Sequence, residues 1–364
     1  MKNMSFFKSW FGVAHHKWFG EKTYLGVDIG TTSIKVVEMS GKKLVNYGIL
    51  QTYGYLNRFN DALQTSSLKL LETETAKYLK ELISRAKIKS DEVIASLPAF
   101  SGFTTLIELP EMPESETAKA IGFQARQYIP MSLSVVTLDW MRVGERTDEN
   151  GVKKQQIFLV AMLNEQIEKY KKIFKLAGLK LVALELEGIS LARSLTRGLK
   201  EPALIIDIGA RSSSFSIAQN GLLKFVGQSD FAGGSLTQAL SSGLGISVRR
   251  AEELKQKRGL KGVGGEQELS TLMKPLLDVI INEGGRIKSN YENSYKEAVK
   301  RVILTGGGAR LEGVKDYIGS QLNLPAEIGN PLAKVEYPIT LRPRLNDLNI
   351  SLAIALGLGI KYAK

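Results

Sequence analysis

The sequence predicts an α/β protein built from two similar halves, and three features of its 364 residues lead to this class. Segments with strand-like apolar patterns alternate with segments whose apolar residues have helical spacing. Residues 24–48 (YLGVDIGTTSIKVVEMSGKKLVNYG) resemble residues 203–227 (ALIIDIGARSSSFSIAQNGLLKFVG), which places Asp28 and Asp207 about half a chain apart. The length also suits two domains, each large enough for a core of its own.

Each copy of the repeat predicts a strand, an Asp-Ile-Gly turn rich in hydroxyl groups, a second strand, a hairpin with glycine and a third strand. Between the copies, the pattern predicts a helix over 66–86, strands over 92–97 and 103–109, a helix from Ser115, strands over 136–143 and 156–162, a helix over 164–177 and a strand over 180–186. After the second copy it predicts a helix that opens with residues 231–237 and runs to about 244, helices over 248–258 and about 267–292, a strand over 301–305, a helix from Leu311 and a final helix over 349–362.

The composition excludes several kinds of catalytic site. The chain has no cysteine, which rules out disulfides, thiolate metal sites and thiol catalysis. Its two histidines, His15 and His16, are adjacent near the N-terminus, so the body of the chain cannot hold a histidine-based triad or an HExxH zinc site. It has no GxxxxGK[ST] motif and is therefore not a P-loop ATPase. Any chemistry has to come from carboxylates, hydroxyls, basic side chains and backbone amides.

The charge balance suits an anionic partner. With 49 basic and 37 acidic residues, the formal net charge is +12. A charge of this sign favours a nucleotide, a nucleic acid or the inner face of a membrane. The basic residues do not alternate with aromatic ones in a stripe, so we expect no nucleic-acid partner.

The sequence predicts neither a membrane span nor a signal peptide. Its most apolar uncharged run, residues 348–360, is shorter than the ~20 residues of a span and predicts a buried helix in a soluble protein. The N-terminal leader, residues 1–22, has no continuous apolar region, but it mixes lysines with aromatic residues. Such a segment is compatible with a lipid interface, with docking on a partner or with folding back on its own domain. The aromatic residues of the leader are Phe6, Phe7, Trp10, Phe11, Trp18 and Phe19.

The two Asp-Ile-Gly turns have the features of a phosphate cradle. Gly30 lets the backbone approach an anion closely, the amides of residues 31–33 can point at phosphate oxygens, and the Asp28 carboxylate can hold a hydrated Mg²⁺. Two such turns, half a chain apart, can grip a polyphosphate from both sides. The glycine run 306–308 either lets the backbone pass flat against a base or ribose, or forms a simple strand-to-helix turn.

The order of these motifs resembles that of the actin, Hsp70 and sugar-kinase ATPase superfamily. DIGTTS, DIGARS with FAGGSLT, and VILTGGGARLEG correspond to its phosphate-1, phosphate-2 and adenosine motifs, and the resemblance covers nearly the whole chain from about residue 23. Three further segments, SLPAFSGFTTLIELP, FQARQYIPMSLSVVTLDW and SVRRAEELK, are similar to the PilM family of type IV pilus assembly proteins. This family is close in fold to the cell-division protein FtsA.

The resemblance implies a duplicated actin-like (ribonuclease H-like) ATPase fold. Each half would have a mixed central sheet flanked by helices, with the nucleotide in the cleft between the halves. We expect the first half at 23–200, with a small inserted subdomain at about 103–180. The second half would follow at 201–364, with a helical subdomain at about 233–298.

The resemblance also implies a site for ATP and Mg²⁺. The phosphate-1 residues would be Asp28, Gly30, Thr31, Thr32 and Lys35, and the phosphate-2 residues Asp207, Gly209, Arg211 and Ser212. Near the phosphates would lie Gly233 and Gly234, and near the adenosine Gly306, Gly307, Gly308 and Arg310, with Glu283 and Arg286 holding the ribose and base. The metal would be held by Asp28 and Asp207 through water. The position of a water-orienting side chain falls near Glu185 and Glu187.

Each of these assignments has a structural alternative. Lys35 can be a solvated side chain, Glu283 and Arg286 an ordinary i,i+3 ion pair, and the two candidate glutamates surface carboxylates. Two departures from the superfamily also matter. Ala210 and Arg211 predict a tighter or more cationic phosphate-2 loop, and the 284–285 glycine pair predicts an interruption of the adenosine helix.

The function implied by the resemblance is that of an ATP-binding cytoplasmic scaffold in the inner-membrane platform of the type IV pilus. It would recruit, through a groove near the insert, the short cytoplasmic tail of a PilN-like membrane protein. It would couple this protein to the pilus motor ATPases, as a homo-oligomer such as a ring, and with at most slow ATP hydrolysis. It would lie at the inner face of the membrane through its partner or through its leader. The alternatives are an FtsA-like membrane-tethered filament protein and a small-molecule kinase of the same superfamily.

Overall fold

A computed structural model describes residues 22–51, 72–147, 150–260 and 267–363. The strands are β1 (Thr23–Ile29), β2 (Ser33–Ser40), β3 (Lys43–Gln51), β4 (Glu92–Leu97), β5 (Gly102–Pro110), β6 (Val136–Thr147), β7 (Lys153–Leu163), β8 (Lys180–Leu186), β9 (Ala203–Ile208), β10 (Ser213–Gln219), β11 (Leu222–Ser229), β12 (Arg301–Thr305) and β13 (Ala326–Ile328). The α-helices are α1 (Glu72–Arg85), α2 (Glu114–Tyr128), α3 (Asn164–Ala177), α4 (Glu187–Thr196), α5 (Gly233–Leu244), α6 (Val248–Arg258), α7 (Gln267–Tyr295), α8 (Val314–Leu322) and α9 (Leu345–Gly359). Short 3₁₀ turns cover Ala99–Ser101, Gly307–Arg310, Pro331–Lys334 and Ile339–Arg344.

Two five-stranded mixed sheets have the same connectivity. The first has the order β3-β2-β1-β4-β8 and the second the order β11-β10-β9-β12-β13. In both, the first three strands in sequence are antiparallel neighbours, and the next two join as parallel strands. The duplicated fold predicted from the repeat is therefore confirmed. Its register aligns Asp28 with Lys35 in the first half and Asp207 with Ser214 in the second.

A third sheet lies between β4 and β8 in the chain. Its strands are antiparallel in the order β5-β7-β6, and its core contains Ile121 and Ala125 of α2 together with Ile157 and Leu159 of β7. This insert also contacts the second half, because Arg146 Nη1 donates a hydrogen bond to the carbonyl oxygen of Ser294 at 3.3 Å. The insert is thus packed against both halves of the molecule.

Helices α4 and α9 connect the halves reciprocally. Helix α4 follows the last strand of the first sheet but packs on β10 and β11 of the second, whereas α9 packs on β1 and β2 of the first. Glycines permit the close approach of their backbones. A Cβ on Gly357 would overlap the carbonyl of Ser190 in α4, and one on Gly26 would overlap the carbonyl of Ala355 in α9. A single hydrophobic core accordingly contains residues of both halves.

The most apolar run of the sequence, residues 348–360, contributes most of α9 and is buried against β1, β2 and α4. Burial inside the protein accounts for its hydrophobicity. Among the helices of the described ranges, none is both long enough and apolar enough to cross a bilayer.

Several elements differ from those predicted. Helix α4 was not predicted: no element was assigned to its ten residues, of which eight are buried. Strand β13 was not predicted because it has only three residues. The interruption predicted at residues 284–285 is wrong: α7 continues through them, and a Cβ on Gly284 would lie 3.3 Å from Phe215 of β10. The predicted first helix continues into α1, and its residues 66–71, like the leader up to residue 21, lie outside the described residues.

Candidate nucleotide site

The two Asp-Ile-Gly turns close in the same way. The amide of Gly30 donates to the carbonyl of Ser33 at 3.0 Å, and the amide of Gly209 donates to the carbonyl of Ser212 at 3.1 Å. A Cβ on Gly209 would lie 2.7 Å from the same Ser212 oxygen, so this turn leaves no room for a side chain. Residues Ala210–Arg211 therefore do not alter the closing hydrogen bond of the second turn.

Helix α5 begins directly on the second turn. The amide of Gly233 donates to the carbonyl of Gly209 at 3.0 Å, and the amide of Gly234 donates to the carbonyl of Ala210 at 2.8 Å. The positive end of the α5 dipole consequently lies beside the turn that follows Asp207. The structure thus brings both predicted glycines to the predicted phosphate-2 turn.

Asp28 is buried, and its carboxylate is held on both sides. Its Oδ2 accepts a hydrogen bond from Lys35 Nζ at 2.9 Å, and its Oδ1 accepts one from Ser96 Oγ at 2.9 Å. Burial on its own would lower the pKa of Lys35, but the carboxylates of Asp28, Asp207 and Glu187 together raise it. Lys35 is therefore not a solvated side chain, because its ammonium group lies among three carboxylates.

The carboxylates of Asp207 and Glu187 are half-buried and come from different halves. Burial raises the pKa of Asp207 to about 6, with Lys35 opposing the shift and Asp28 adding to it. Burial also raises the pKa of Glu187 well above its ordinary value, and the charges of Asp28 and Asp207 raise it further. We call Asp28, Lys35, Glu187 and Asp207 the cleft cluster. It combines three carboxylates with one cation, and such an excess of negative charge favours an added cation.

The donor set fits a water-coordinated Mg²⁺. Within the described ranges, no group of three or more acidic or histidine side chains is arranged as a ready metal site. Mg²⁺ usually keeps several waters and binds through one or two carboxylates together with the phosphates of a substrate. Asp28 and Asp207 offer two such carboxylates at the ends of the paired motifs.

The glycine run brings β12 against Asp207. Gly306 has φ +78°, which disfavours an L side chain, and a Cβ there would overlap the Asp207 carboxylate. A Cβ on Gly308 would overlap the side chain of Ile208, whereas Gly307 has open space around it. Gly306 and Gly308 are therefore required by close packing on the end of β9, whereas Gly307 is not. Arg310 contacts α9, where it donates to the Ser351 hydroxyl at 2.6 Å.

Glu185 and Glu187 have different environments. Glu185 is fully buried, its two oxygens each accept a hydrogen bond from Arg193 at 2.9 Å, and Lys361 lies 3.5 Å away. Burial would raise the pKa of Glu185, but these two cations lower it. Arg193 also donates to the carbonyl of Gly357 at 2.7 Å, so the pair ties α4 to α9. The interpretation of these glutamates as surface carboxylates is wrong, and of the two only Glu187 belongs to the cleft cluster.

Glu283 and Arg286 form an ion pair on α7, and Arg286 Nε donates to Glu283 Oε2 at 2.8 Å. The Arg286 side chain is 60% exposed, and the contacts of both side chains are with each other. The structure does not join this pair to the glycine turns by any hydrogen bond or ion pair among the described residues.

A second acidic–basic pair with the same spacing does reach the cleft, and the sequence analysis missed it. Lys255 Nζ in α6 donates to the carbonyl of Gly233 at 2.8 Å and to Thr237 Oγ1 at 2.7 Å, and it pairs with Glu252 at 2.7 Å. Burial lowers the pKa of Lys255, and the Glu252 carboxylate opposes the shift. The signal was present in SVRRAEELK, but i,i+3 pairs are too common on helices to select this one.

Comparisons with known proteins agree with this fold. A family model described as type IV pilus assembly protein PilM matches residues 26–363. The cell-division protein FtsA of Escherichia coli K12 is 23% identical over 85% of this chain and 84% of its own length. FtsA of Neisseria meningitidis serogroup B is 24% identical over 59% of this chain and 58% of its own.

Solved structures show the same architecture. The structure entitled PilM-PilN type IV pilus biogenesis complex superposes with a TM-score of 0.78 at 22% identity, covering 94% of this chain and 99% of that chain. MreB5 of Spiroplasma citri bound to ADP superposes with a TM-score of 0.53 at 15% identity, covering 86% of this chain and 94% of that chain. At these identities the similarity shows the fold, which is actin-like.

Proposed function

Because the chain belongs to the family of the type IV pilus assembly protein PilM, we propose that it is a nucleotide-binding scaffold of the pilus assembly platform. In this role it binds ATP with Mg²⁺ between its halves and recruits the cytoplasmic tail of a PilN-like protein at the inner face of the membrane. The observation that carries the proposal is the cleft cluster, in which Asp28, Lys35, Glu187 and Asp207 come together from both halves. Links to motor ATPases and assembly into a homo-oligomer follow from the same role and stay predictions.

The turns and the cleft cluster supply what a bound nucleotide needs. Lys35 would move from Asp28 towards a phosphate oxygen, and the turns after Gly30 and Gly209 would offer their amides. Mg²⁺, when bound, neutralises part of the phosphate charge, and Asp28 and Asp207 would hold its waters. The glycine run would face the adenosine, while the pair of Glu252 and Lys255 on α6 would border the sugar. MreB5 of Spiroplasma citri, which shares the fold, was crystallised with ADP.

Glu187 is the carboxylate that we propose for orienting water. Burial and the charges of Asp28 and Asp207 raise the pKa of Glu187, and a raised pKa makes a carboxylate a stronger general base. The carboxylate of Glu185 is already bound by Arg193. We therefore expect slow hydrolysis that depends on Glu187.

The insert offers a surface for the partner peptide. Phe123 on α2 is 80% exposed, Tyr128 at the end of this helix is 42% exposed, and Val135 directly before β6 is 49% exposed. Exposed large hydrophobic side chains favour an interaction site in this part of the insert. The similarity to a structure entitled PilM-PilN complex supports a tail of the PilN type as the occupant.

Fluorescence anisotropy with a labelled tail peptide of the PilN-like protein of the same organism tests this function. We expect the protein to bind the peptide, MgATP to change the affinity, and Phe123→Ser to weaken binding at least about tenfold. Leu222→Ser is the matched control, because Leu222 is 42% exposed on β11 and should leave the affinity unchanged. Equal affinities for both variants and the wild type would contradict the assignment of α2. Absence of any binding would contradict the recruiting role.

A further inference from the structure

Four basic and two aliphatic side chains are exposed where residues 336–344 run beside the β2–β3 hairpin. Ile339 is 66% exposed and Val45 is 43% exposed, so both aliphatic side chains face solvent. The four basic side chains on the same two segments are exposed as well. We call this set the basic–aliphatic surface, and its members are Lys42, Lys43, Val45, Ile339, Arg342 and Arg344.

Two sets of contacts hold the segments together. At one end, the amide of Leu44 donates to the carbonyl of Glu336 at 2.8 Å, and the amide of Glu336 donates to the carbonyl of Lys42 at 2.9 Å. At the other end, Arg344 Nη1 donates to the hydroxyl of Tyr47 at 3.0 Å. Val45 lies between these contacts on one segment, as do Ile339 and Arg342 on the other. The exposed residues therefore share one surface.

The surface is fixed from below and its charge is not neutralised within the protein. Leu341 and Leu345 pack into the core that contains Leu44 and Leu348. Within the described part of the chain, Lys42, Lys43 and Arg342 form no ion pair, and the Arg344 guanidinium lies 6.0 Å from the centre of the Tyr47 ring. The acidic residue of segments 42–47 and 336–344 is Glu336, so the four basic side chains outnumber its carboxylate.

We propose that the basic–aliphatic surface binds directly to a bilayer that contains anionic phospholipids. The cations would meet the headgroups, and the aliphatic side chains of Ile339 and Val45 would enter the interfacial layer. An acidic peptide would satisfy the cations, but it would not require two aliphatic side chains that stand free beside them. A lipid surface uses both features.

The position of this surface has a consequence for orientation. The phosphate-1 turn lies at the start of β2 and the basic–aliphatic surface at its end, and a strand of eight residues spans roughly 25 Å. A bilayer at this end would leave the cleft cluster on the side away from the membrane, open to nucleotide. The inference stands on these surface residues and does not depend on nucleotide binding.

Co-sedimentation of the full chain with vesicles tests the proposal. The vesicles are phosphatidylcholine alone or phosphatidylcholine with phosphatidylglycerol, and the leader is present in every variant. The test variants are Lys43→Glu with Arg342→Glu, and Ile339→Ser. The matched charge control is Lys77→Glu with Lys80→Glu on α1, where both lysines are exposed. Because each basic residue contributes about fivefold, and because the substitutions also add two negative charges, we expect a loss of binding of at least about twenty-five-fold for the double test variant.

The proposal requires binding to the anionic vesicles that falls with salt, falls in the double test variant and in Ile339→Ser, and stays at the wild-type level in the control. Wild-type binding by both test variants would overturn it, because the leader or another surface would then carry the contact. An equal loss in the test and control pairs would also overturn it in favour of unspecific attraction. If Ile339→Ser binds normally and soluble polyglutamate competes fully, the surface belongs to an acidic peptide and the lipid assignment fails.

Discussion

Asp28 and Asp207 occupy equivalent positions in the two copies of one fold, but the side chains that face them differ in charge. Asp28 faces Lys35 across the β1–β2 pair, and the ammonium group neutralises it. Asp207 faces Ser214, whose buried hydroxyl has no hydrogen-bond partner among the described residues. Burial raises the pKa of Asp207 to about 6. Of the two aspartates, Asp207 is therefore the one without a hydrogen-bonded ammonium group from the residues that the structure describes, and an added cation would stabilise its charge.

Substitution of the two neighbouring glutamates should separate chemistry from stability. Glu187→Gln removes a charge that its surroundings disfavour, so we expect unchanged or higher stability, retained MgATP binding and roughly a hundredfold less hydrolysis. Glu185→Gln leaves the half-buried Arg193 and the buried Lys361 without their carboxylate and should lower the free energy of unfolding by roughly 3–5 kcal/mol. Urea unfolding and single-turnover hydrolysis of both variants measure the two effects. Equal hydrolysis by Glu187→Gln and the wild type would remove Glu187 from the reaction.

Asp139 in β6 should make stability depend on pH. Burial raises its pKa to about 7, while a backbone hydrogen bond from Trp140 and the charge of Lys361 oppose the shift. The folded state thus keeps a proton that the unfolded state releases near pH 4, and this contribution to stability is lost as the pH rises towards 7. We expect the free energy of unfolding of Asp139→Asn, relative to that of the wild type, to rise by on the order of 2 kcal/mol as the pH increases from 5 to 8. A constant difference in unfolding free energy across this range would contradict the assignment.

At the scale of elements, the glycine run offers a test in adjacent residues. Gly306→Ala places a Cβ on the Asp207 carboxylate at a positive φ and should lower the free energy of unfolding by about 2 kcal/mol or more. Gly307→Ala adds the same atom in open space and should change stability by less than about 0.5 kcal/mol. Circular dichroism melts of the two variants measure the difference. Equal stabilities would mean that β12 does not need to approach β9 so closely.

Elements with strong end signals were predicted to the residue. The helix over 164–177 ends before Gly178, which has φ +77°, and the helix over 248–258 ends before Gly259. The strand over 92–97 ends before Pro98. Helix α4 was not predicted, and its packing on β10 and β11 of the other half depends on tertiary contacts that a local stretch of sequence does not reveal.

The candidate site was only partly predictable for the same reason. The motifs identify the turns, and strand register already places Lys35 opposite Asp28. The position of Glu187 depends on how α4 packs across the halves, and that of Lys255 on how α6 packs against α5. Neither packing has a signal in a local stretch of sequence. Tertiary contacts therefore decide which of several plausible charged residues belong to the site.

At the scale of the whole molecule, the two halves share their central helices. Helix α4 belongs to the first half by sequence and to the second by packing, and α9 does the reverse. The insert adds a further contact, since a Cβ on Gly144 of β6 would lie 2.8 Å from the buried Lys224 amine of β11. A ligand between the halves can favour a closed state by binding it more tightly than an open one. If the insert binds the partner peptide as proposed, its contacts with the second half would transmit that state to the peptide.

Thermal unfolding at pH 7.5 with and without MgATP tests the central claim, that the cleft between the halves binds nucleotide. We compare nucleotide-free wild type with Asp207→Asn and with the control Asp316→Asn, whose side chain is 68% exposed on α8. MgATP at 100 times its dissociation constant should stabilise the wild type and the control by about 2.7 kcal/mol. Asp207→Asn should melt higher than the wild type without ligand, because the substitution removes a disfavoured charge, and should lose the ligand-induced shift. No shift in the wild type, or an equal shift in Asp207→Asn, would contradict nucleotide binding at this cleft.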